Sequence, residues 1–334
     1  MSGQSGPPVW SGTLIAWLAY VYRILSLDGG GIRGVLTATL LKRIEANCPG
    51  FLAKADLLAG TSAGGILALG LASGLSPAEC CSLCEALARA VFADSAVDDL
   101  RDLGNAVGAQ YSNTPLKRLL TGHFGNRVLG DLPRKVLICA FDLDNEPASP
   151  FALRTWKPKF FHNFSAPGSD AGERVVDVAL RTSAAPTYFP IYQGYIDGGG
   201  VANNPAMCAL AQALDAQTGG QKLEEVALLS VGTGRVPRFL TVKEADWGWA
   251  QWARPLIDLL LEEGSSSLSD FQCQRLLGER YFRLDPLLPD TIRLDDLSQI
   301  PRLKELAKEM DLTAVLDWLK PAAHNRAGTF PGWL

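Results

Sequence analysis

The sequence predicts an α/β fold with a mainly parallel central sheet, and three observations carry this prediction. Residues 21–27 are apolar and end at a run of glycines, as a buried strand that stops at a loop does. Residues 135–141 and 226–231 show the same pattern. Leucines at helical spacing follow the first strand, between residues 32 and 46. Strands that alternate with helices form parallel sheets with helices on both faces, which makes a three-layer sandwich.

A second strand and helix follow directly after the first pair. Residues 55–59 are strand-like, residues 60–65 form a tight turn, and residues 66–73 continue as a helix. From about Pro237 the pattern changes to helical segments with charged faces. The sequence therefore predicts one α/β domain with a helical C-terminal extension.

The predicted organisation has three stretches. Residues 1–20 are expected to be a poorly ordered leader, residues 21–235 the α/β core, and residues 236–334 a mostly helical extension packed on that core. The apolar part of the leader is shorter than the roughly 20 residues that a membrane-spanning helix needs. The first basic residue is Arg23, whereas a secretory signal carries positive charge at its start. An anchor to a membrane or a partner is the alternative role for the leader.

Composition narrows the class of protein. The 334 residues carry a net charge of −4, with 47% hydrophobic and 20% charged residues, as in an ordinary soluble globular chain. This charge gives no support to a nucleic-acid partner held through phosphate contacts. The seven cysteines are irregularly spaced, and Cys80, Cys81 and Cys84 lack a second ligand pair. We therefore expect reduced thiols in a cytoplasmic protein and no metal site.

The strongest local signal is the segment Gly60-Thr61-Ser62-Ala63-Gly64 between a strand and a helix. Small flanking residues let the chain turn sharply and present a serine hydroxyl at the edge of the sheet. The helix that follows points its N-terminal N–H groups toward that serine. In isolation the pattern also fits an ordinary turn, and the strand–turn–helix context favours a nucleophile at Ser62.

A glycine loop, Asp28-Gly29-Gly30-Gly31-Ile32-Arg33-Gly34, ends the first strand. Consecutive glycines at a helix start expose backbone N–H groups that bind anions or hold an oxyanion. The spacing of Gly29, Gly31 and Gly34 also fits a dinucleotide fingerprint. Such a site needs an acid at the end of the second strand, where this sequence has the serine turn instead. A dinucleotide-binding protein is therefore the weaker alternative.

A third signal is Asp197, which an apolar stretch delivers into the turn Gly198-Gly199-Gly200. An aspartate in a glycine-rich turn is often only a solvated turn residue. The segment Asn203-Asn204-Pro205 follows it closely.

Together these segments resemble the three motifs of patatin-like phospholipases: Asp28 to Gly34, Gly60 to Gly64, and Asp197-Gly198-Gly199. Other segments typical of the family are matched by residues 182–190, 203–205 and 232–234. The resemblance of residues 281–284 to a late strand of the family is weaker. The similarity runs from about Arg23 to Arg235. Several motifs in the right order are far more specific than any one of them.

The resemblance implies a lipid acyl hydrolase that works through a Ser62–Asp197 dyad and needs no cofactor. It implies an oxyanion hole formed by the N–H groups of Gly30 and Gly31, with Gly29 as a further candidate. Arg33 is expected to orient this loop or to attract a lipid phosphate, and a structural ion pair is its alternative role. The three histidines, His123, His162 and His324, lie outside the motifs, which favours a dyad over a triad.

The expected partner is a phospholipid or another lipid ester, met through peripheral contact with a membrane. Trp247, Trp249 and Trp252 cluster in one short segment, and tryptophan favours membrane interfaces. Core packing of the extension is the favoured role of this segment, and a lid or a lipid-facing helix is the alternative hypothesis. Two functional alternatives stay open: an effector phospholipase that a ligand activates to degrade membranes, and a lipid acyltransferase.

Overall fold

The computed structural model describes residues 20–92, 108–146, 149, 151–237, 239–240, 246–248, 251–252, 259, 264–289, 292–320 and 332–334. Seven strands of this part form one sheet. They are β1 (Tyr22–Leu27), β2 (Leu57–Thr61), β3 (Lys135–Asp142), β4 (Lys157–His162), β5 (Tyr195–Asp197), β6 (Val226–Val231) and β7 (Tyr281–Leu284).

The sheet has the strand order β4-β3-β2-β1-β6-β7, and β5 also pairs with β3. The strands β3, β2, β1, β6 and β7 run parallel to one another, whereas β4 and β5 pair antiparallel with β3. The predicted mainly parallel sheet is therefore confirmed. Leu27 of β1 is in register with Gly60 of β2 and with Val231 of β6, so these three strands end together at one edge. In open α/β sheets this carboxyl edge is where ligands bind.

Ten helices accompany the sheet in the described residues. They are α1 (Gly34–Asn47), α2 (Ala63–Ala72), α3 (Pro77–Phe92), α4 (Thr114–Phe124), α5 (Val175–Thr182), α6 (Gly199–Ala202), α7 (Ala206–Leu214), α8 (Ser265–Leu277), α9 (Ile300–Glu309) and α10 (Thr313–Leu319). None of the helices in this part of the chain is long and apolar enough to cross a bilayer.

Two hydrophobic cores lie on opposite faces of the sheet. Successive side chains of a strand point to opposite faces, and Ile24 and Leu25 of β1 accordingly belong to different cores. The larger core packs α1, α2 and α3 against the sheet, and the smaller one packs α7 and α8. Helices on both faces complete the expected three-layer sandwich.

Three elements differ from the sequence predictions. The second strand begins at Leu57 and extends through Gly60 and Thr61, so the serine turn is tighter than expected. The strand β4 was not predicted because it lies at the sheet edge and begins with exposed, polar residues. The strand β5 was not predicted either, because its three residues are too few to show a periodic pattern.

The residues after 235 contribute to the same sheet. Tyr281–Leu284 forms β7 and pairs in parallel with β6, so the segment that resembled a late family strand is a strand. Near the C-terminus, Trp333 is fully buried, and its indole N–H donates to the carbonyl of Phe51 at 2.9 Å. At the other end only Tyr20 of the predicted leader is described, and its hydroxyl donates to Asp56.

Candidate active site

Ser62 occupies a one-residue turn between β2 and α2. Its backbone has φ 54° and ψ −125°, a strained conformation for a residue with a side chain. A Cβ atom on Gly64 would lie 2.2 Å from the carbonyl oxygen of Leu27, and one on Gly60 would lie 2.3 Å from the carbonyl oxygen of Gly64. The flanking glycines therefore let α2 start against the end of β1, which is the geometry of a nucleophile elbow.

A side chain distant in sequence holds this turn in place. The N–H of Ser62 donates to the hydroxyl of Thr182 at 2.9 Å, and that hydroxyl donates to the carbonyl of Cys139 at 2.5 Å. The carbonyl of Ser62 accepts the N–H of Ile66 at 3.0 Å, which closes the first turn of α2. Sequence reasoning placed Thr182 only in a segment resembling the family, without a role. Its position as the last residue of α5 gave no local signal.

Asp197 ends β5, and its carboxyl lies close enough to the Ser62 hydroxyl for that hydroxyl to favour the charged form. Its Oδ1 accepts the N–H of Gly199 at 2.7 Å, and its own N–H donates to the carbonyl of Ala184 at 2.9 Å. Asp197 pairs with Ala140 of β3, one residue beyond the Cys139 that pairs with Thr61 of β2. Both pairings are on the same side of β3, because β4 occupies the opposite side. The sheet thus brings together two residues that lie far apart in the sequence.

Burial sets the basicity of Asp197. The carboxyl is 5% exposed, and this desolvation raises its pKa to about 6 although the Ser62 hydroxyl and the Gly199 N–H favour the charged form. At neutral pH the group is ionised, and it is a stronger base than an ordinary aspartate of pKa about 3.9. The carboxylate is therefore suited to accept a proton from the serine hydroxyl.

The glycine loop lies beside Ser62. Gly29 donates its N–H to the carbonyl of Asn203 at 3.0 Å, whereas the N–H groups of Gly30 and Gly31 make no hydrogen bond to any described residue. A Cβ atom on Gly30 would lie 2.2 Å from the hydroxyl oxygen of Thr233. Gly31 has φ +56°, and a Cβ there would lie 2.4 Å from the carbonyl oxygen of Leu294. Close packing therefore restricts this loop to glycine, and two of its N–H groups are available for a ligand.

Charged residues flank the glycine loop on both sides. Arg33 is buried, and its backbone N–H donates to the carbonyl of Gly30 at 3.0 Å. Asp28, on the other side, is bound through both carboxylate oxygens by Arg283 of β7, at 2.9 and 2.5 Å. Burial raises the pKa of Asp28 to about 7, partly offset by the Arg283 guanidinium. This ion pair ties the C-terminal part of the chain to the loop, and no local pattern in the sequence predicts it.

A largely apolar cavity of about 110 Å³, here called the catalytic pocket, opens onto Ser62 and Asp197. Gly29, Gly30, Gly31 and Arg33 also line it. Its apolar wall includes Ile66 of α2, Leu87, Val91 and Phe92 of α3, Leu116 of α4, and Phe189. Every residue proposed for the site from the sequence therefore lines one cavity, and its walls suit a hydrocarbon chain.

The histidines lie elsewhere. His123 is exposed at the end of α4, and His162 ends β4, where burial lowers its pKa. Neither lines the catalytic pocket, and His324 lies outside the described residues. Among the described residues, no group of histidine, cysteine and acidic side chains could hold a metal ion.

The predicted tryptophan segment is only partly described. Trp247 and Trp252 contact each other edge to face, with ring centroids 5.2 Å apart, and Trp252 is 39% exposed. Trp249 lies outside the described residues, so the lid or lipid-facing helix stays a hypothesis.

Comparison with known proteins places the chain in a family. A model described as patatin-like phospholipase matches residues 25–210, more than half of the 334 residues, and this range contains both Ser62 and Asp197. The chain belongs to the patatin-like phospholipase family. The resemblance inferred from the motifs is thereby confirmed, and the matched range covers the end of β1 and the strands β2 to β5.

Relatives extend the similarity beyond the family model. Protein teg of Priestia megaterium is 31% identical over 328 residues, covering 90% of this chain and 98% of the relative. A cGAMP-activated phospholipase of Pseudomonas aeruginosa is 34% identical over 274 residues, covering 79% and 78%. The 85/88 kDa calcium-independent phospholipase A2 of Mus musculus is 27% identical over 310 residues, covering 82% of this chain and 37% of the relative. The patatin-like chain is accordingly a lipid acyl hydrolase.

Proposed function

We propose that this patatin-like chain hydrolyses acyl esters of phospholipids with Ser62 as nucleophile and Asp197 as general base. The observation that carries the proposal is the placement of these two side chains next to each other in a buried, largely apolar pocket. A base must lie within hydrogen-bond reach of the proton that it takes. Asp197 meets this requirement, and its raised pKa of about 6 suits it to the task.

Acylation begins when Asp197 accepts the proton of the Ser62 hydroxyl and the Ser62 oxygen bonds to the ester carbonyl carbon. The carbonyl oxygen takes up the negative charge. When the tetrahedral intermediate collapses, the bond to the alcohol oxygen breaks and Asp197 returns the proton to that leaving group. The acyl group remains on Ser62 as an ester.

Deacylation repeats these roles with water. Asp197 accepts a proton from water as its oxygen bonds to the acyl carbon, and Ser62 leaves with that proton. The products are a carboxylic acid and the free enzyme. Transfer to an alcohol other than water would follow the same steps, so the acyltransferase alternative differs only in the acceptor.

The oxyanion is assigned to the N–H groups of Gly30 and Gly31. Both residues line the catalytic pocket, and neither N–H is engaged by a described residue. Gly29 is assigned a packing role instead, because its N–H is bound to Asn203 and a Cβ atom there would lie 3.3 Å from the Ser62 Cβ. An aimed donor of this kind is worth about 2.7–4 kcal/mol to the transition state.

The proposal is tested with purified enzyme on monomeric dihexanoyl phosphatidylcholine. Wild type is expected to release hexanoic acid, whereas Ser62→Ala and Asp197→Asn should each lose the reaction by three orders of magnitude or more, as removal of a nucleophile or its base does. Arg302→Ala, an exposed position on α9, serves as a matched surface control. Retained hydrolysis in either site variant would contradict the dyad.

A second candidate is regulation by a cyclic dinucleotide, which would make the enzyme an effector that degrades membranes on a signal. The supporting observation is the 34% identity to a relative named a cGAMP-activated phospholipase. This candidate predicts that cGAMP raises the rate on phosphatidylcholine at least tenfold. An unchanged rate over a range of cGAMP concentrations would remove it.

Because phospholipids reside in membranes, we further propose that this cytoplasmic enzyme meets them peripherally. Phe151, Leu153 and Trp156 lie in one loop before β4 and are 98%, 79% and 68% exposed. Lys157 follows at the start of β4, and Arg154 of the loop is paired with Asp144. Exposed apolar and basic side chains in one loop favour contact with a bilayer surface. Flotation with anionic liposomes is expected to weaken in Phe151→Ser/Trp156→Ser, and unchanged flotation would contradict this contact surface.

A further inference from the structure

A second cavity of about 290 Å³ lies at the same carboxyl edge of the sheet. It is called the polar cavity here, and it is lined by Asp28, Arg33, Asn203, Thr233, Gly234, Arg235, Ser266, Ser267, Asp270, Arg283 and Asp285. Most of these residues come from the ends of β1, β6 and β7 and from the first two turns of α8; Arg33 precedes α1 and Asn203 follows α6. Unlike the catalytic pocket, this cavity is surrounded by charged and hydroxyl side chains.

The two cavities are neighbours. Arg33 and Asn203 line both of them. The catalytic pocket lies over the ends of β1 and β2, and the polar cavity lies over the ends of β1, β6 and β7, which follow in the strand order. The two cavities therefore adjoin at Arg33 and Asn203.

Two of the three acids in the polar cavity already have a cationic partner. Arg283 binds both oxygens of Asp28 and also donates to Asp285 at 2.8 Å. Asp285 additionally accepts the N–H of Gly234 at 3.0 Å. The third acid, Asp270, accepts the hydroxyl of Tyr281 at 2.8 Å. The three acids thus form a wall of the cavity, and each is held in place by an ion pair or a hydrogen bond.

Two donors of the polar cavity, Arg235 and Ser266, are less engaged than Arg283. The Arg235 side chain is 61% exposed, and within the described residues its guanidinium is 3.9 Å from its single acidic partner, Asp285. The buried hydroxyl of Ser266 accepts the Asn203 amide at 3.1 Å, and its own proton has no acceptor among the described residues. A guanidinium and a hydroxyl at the same cavity are the groups that bind phosphate oxygens in proteins.

The formal charge of the polar cavity limits the net charge of the ligand that it can bind. Three arginines and three aspartates line the polar cavity, so its formal charge is zero. A free phosphate monoester carries about −1.5 to −2 at neutral pH and would upset this balance. A zwitterionic headgroup is neutral overall, and its single phosphodiester charge can still pair with Arg235.

We infer that the polar cavity binds the phosphate of a zwitterionic phospholipid headgroup, with Arg235 as its main cationic ligand and Ser266 as a hydroxyl donor. The inference rests on the proposed function, since it places the headgroup beside the ester that Ser62 attacks. It assigns substrate selectivity to residues of β7, α8 and the loop after β6, outside the range that the family model matches.

The first test compares two substrates that share acyl chains and differ in the phosphate. Rates are measured on monomeric dihexanoyl phosphatidylcholine and on 1,2-dihexanoylglycerol, and the ratio of their kcat/KM values is the readout. Wild type should favour the phospholipid, and Arg235→Ala should lower this ratio about tenfold, as the loss of a charge-assisted hydrogen bond does. Arg235→Lys should recover part of it, and Arg302→Ala should match wild type. A ratio that Arg235→Ala leaves unchanged overturns the inference.

A second test does not depend on turnover. Glycerophosphocholine and inorganic phosphate are titrated separately into wild type, Arg235→Ala and Ser266→Ala, with heat of binding as the signal. The inference predicts that glycerophosphocholine binds wild type more tightly than inorganic phosphate and that both variants weaken this binding. Preference for inorganic phosphate, or no binding of glycerophosphocholine, contradicts it. If wild type binds glycerophosphocholine but cleaves neither ester, the proposed function fails while the cavity assignment stands.

Discussion

The hydroxyl of Thr182 accepts the backbone N–H of Ser62 at 2.9 Å and donates its own proton to the carbonyl of Cys139 at 2.5 Å. One side chain therefore ties the strained turn at Ser62 to the neighbouring strand β3. The turn needs such support, because a serine with positive φ persists only where its surroundings hold it.

Replacing Thr182 by Val should loosen this turn. The variant keeps the shape of the side chain but leaves the Ser62 N–H and the Cys139 carbonyl without partners, which costs about 1–3 kcal/mol. We expect a lower melting temperature and a labelling rate by a fluorophosphonate probe reduced about tenfold or more. Thr182→Ser retains the hydroxyl and should label at nearly the wild-type rate. Equal labelling of Thr182→Val and wild type would show that the hydroxyl does not position the serine.

The pH dependence of hydrolysis should follow Asp197. Burial raises the pKa of this carboxyl to about 6, and only its ionised form can accept a proton. The value of kcat/KM is therefore expected to be constant above about pH 7 and to fall about tenfold per pH unit below pH 6. The measurement uses a soluble short-chain ester, with circular dichroism at each pH to verify that the chain is folded. A profile that is flat down to pH 4.5 would exclude Asp197 as the base.

Ionisation of the buried Asp197 carboxyl should lower the free energy of unfolding at high pH. The pKa of Asp197 is about 6 in the folded chain and about 3.9 in the unfolded chain, so folding favours the protonated carboxyl. The stability that the protonated carboxyl contributes at low pH is therefore lost as the pH rises from 4 to 6. Asp197→Asn removes the charge, keeps an oxygen for the Gly199 N–H, and should gain roughly 2–3 kcal/mol over wild type at pH 8. At pH 4 the difference should disappear. Urea denaturation at both pH values measures this, and a variant that is less stable than wild type at pH 8 contradicts it.

The Asp28–Arg283 ion pair yields a prediction for the C-terminal strand. Arg283→Met leaves Asp28 and Asp285 buried without their shared cation, and breaking a buried pair in this way costs about 3–5 kcal/mol. The loss should be larger at pH 8 than at pH 5, because protonation relieves the unpaired carboxyl of Asp28, whose pKa burial already raises to about 7. The double variant Arg283→Met/Asp28→Asn should recover part of the stability. No recovery would indicate that Arg283 acts through packing alone.

Much of the α/β fold was accessible from the sequence because its central strands are buried on both faces. Such strands read as unbroken apolar runs, and β1, β3 and β6 were predicted within one residue of their observed bounds. The edge strand β4 and the short β5 lack this pattern, so they emerge only when the neighbouring β3 pairs with them.

The candidate site likewise contains residues that the sequence predicts and contacts that it does not predict. The residues Ser62 and Gly30 lie in local motifs, since a sharp turn and an exposed backbone each require glycine at fixed positions. Contacts between residues that are distant in the chain produce no such local motif in the sequence. The bond from Thr182 to Ser62, the pairing of Arg283 with Asp28, and the capture of the Gly29 N–H by Asn203 depend on how the sheet assembles.

The central claim is that Ser62 and Asp197 act as a nucleophile and its base. The most direct measurement is covalent labelling of the intact protein by a fluorophosphonate probe at pH 7.5, followed by peptide mapping. We predict that wild type labels at Ser62 alone, that Ser62→Ala does not label, and that Asp197→Asn labels at least a hundredfold more slowly although it is folded. Labelling at another residue, or labelling of Asp197→Asn at the wild-type rate, would contradict the account.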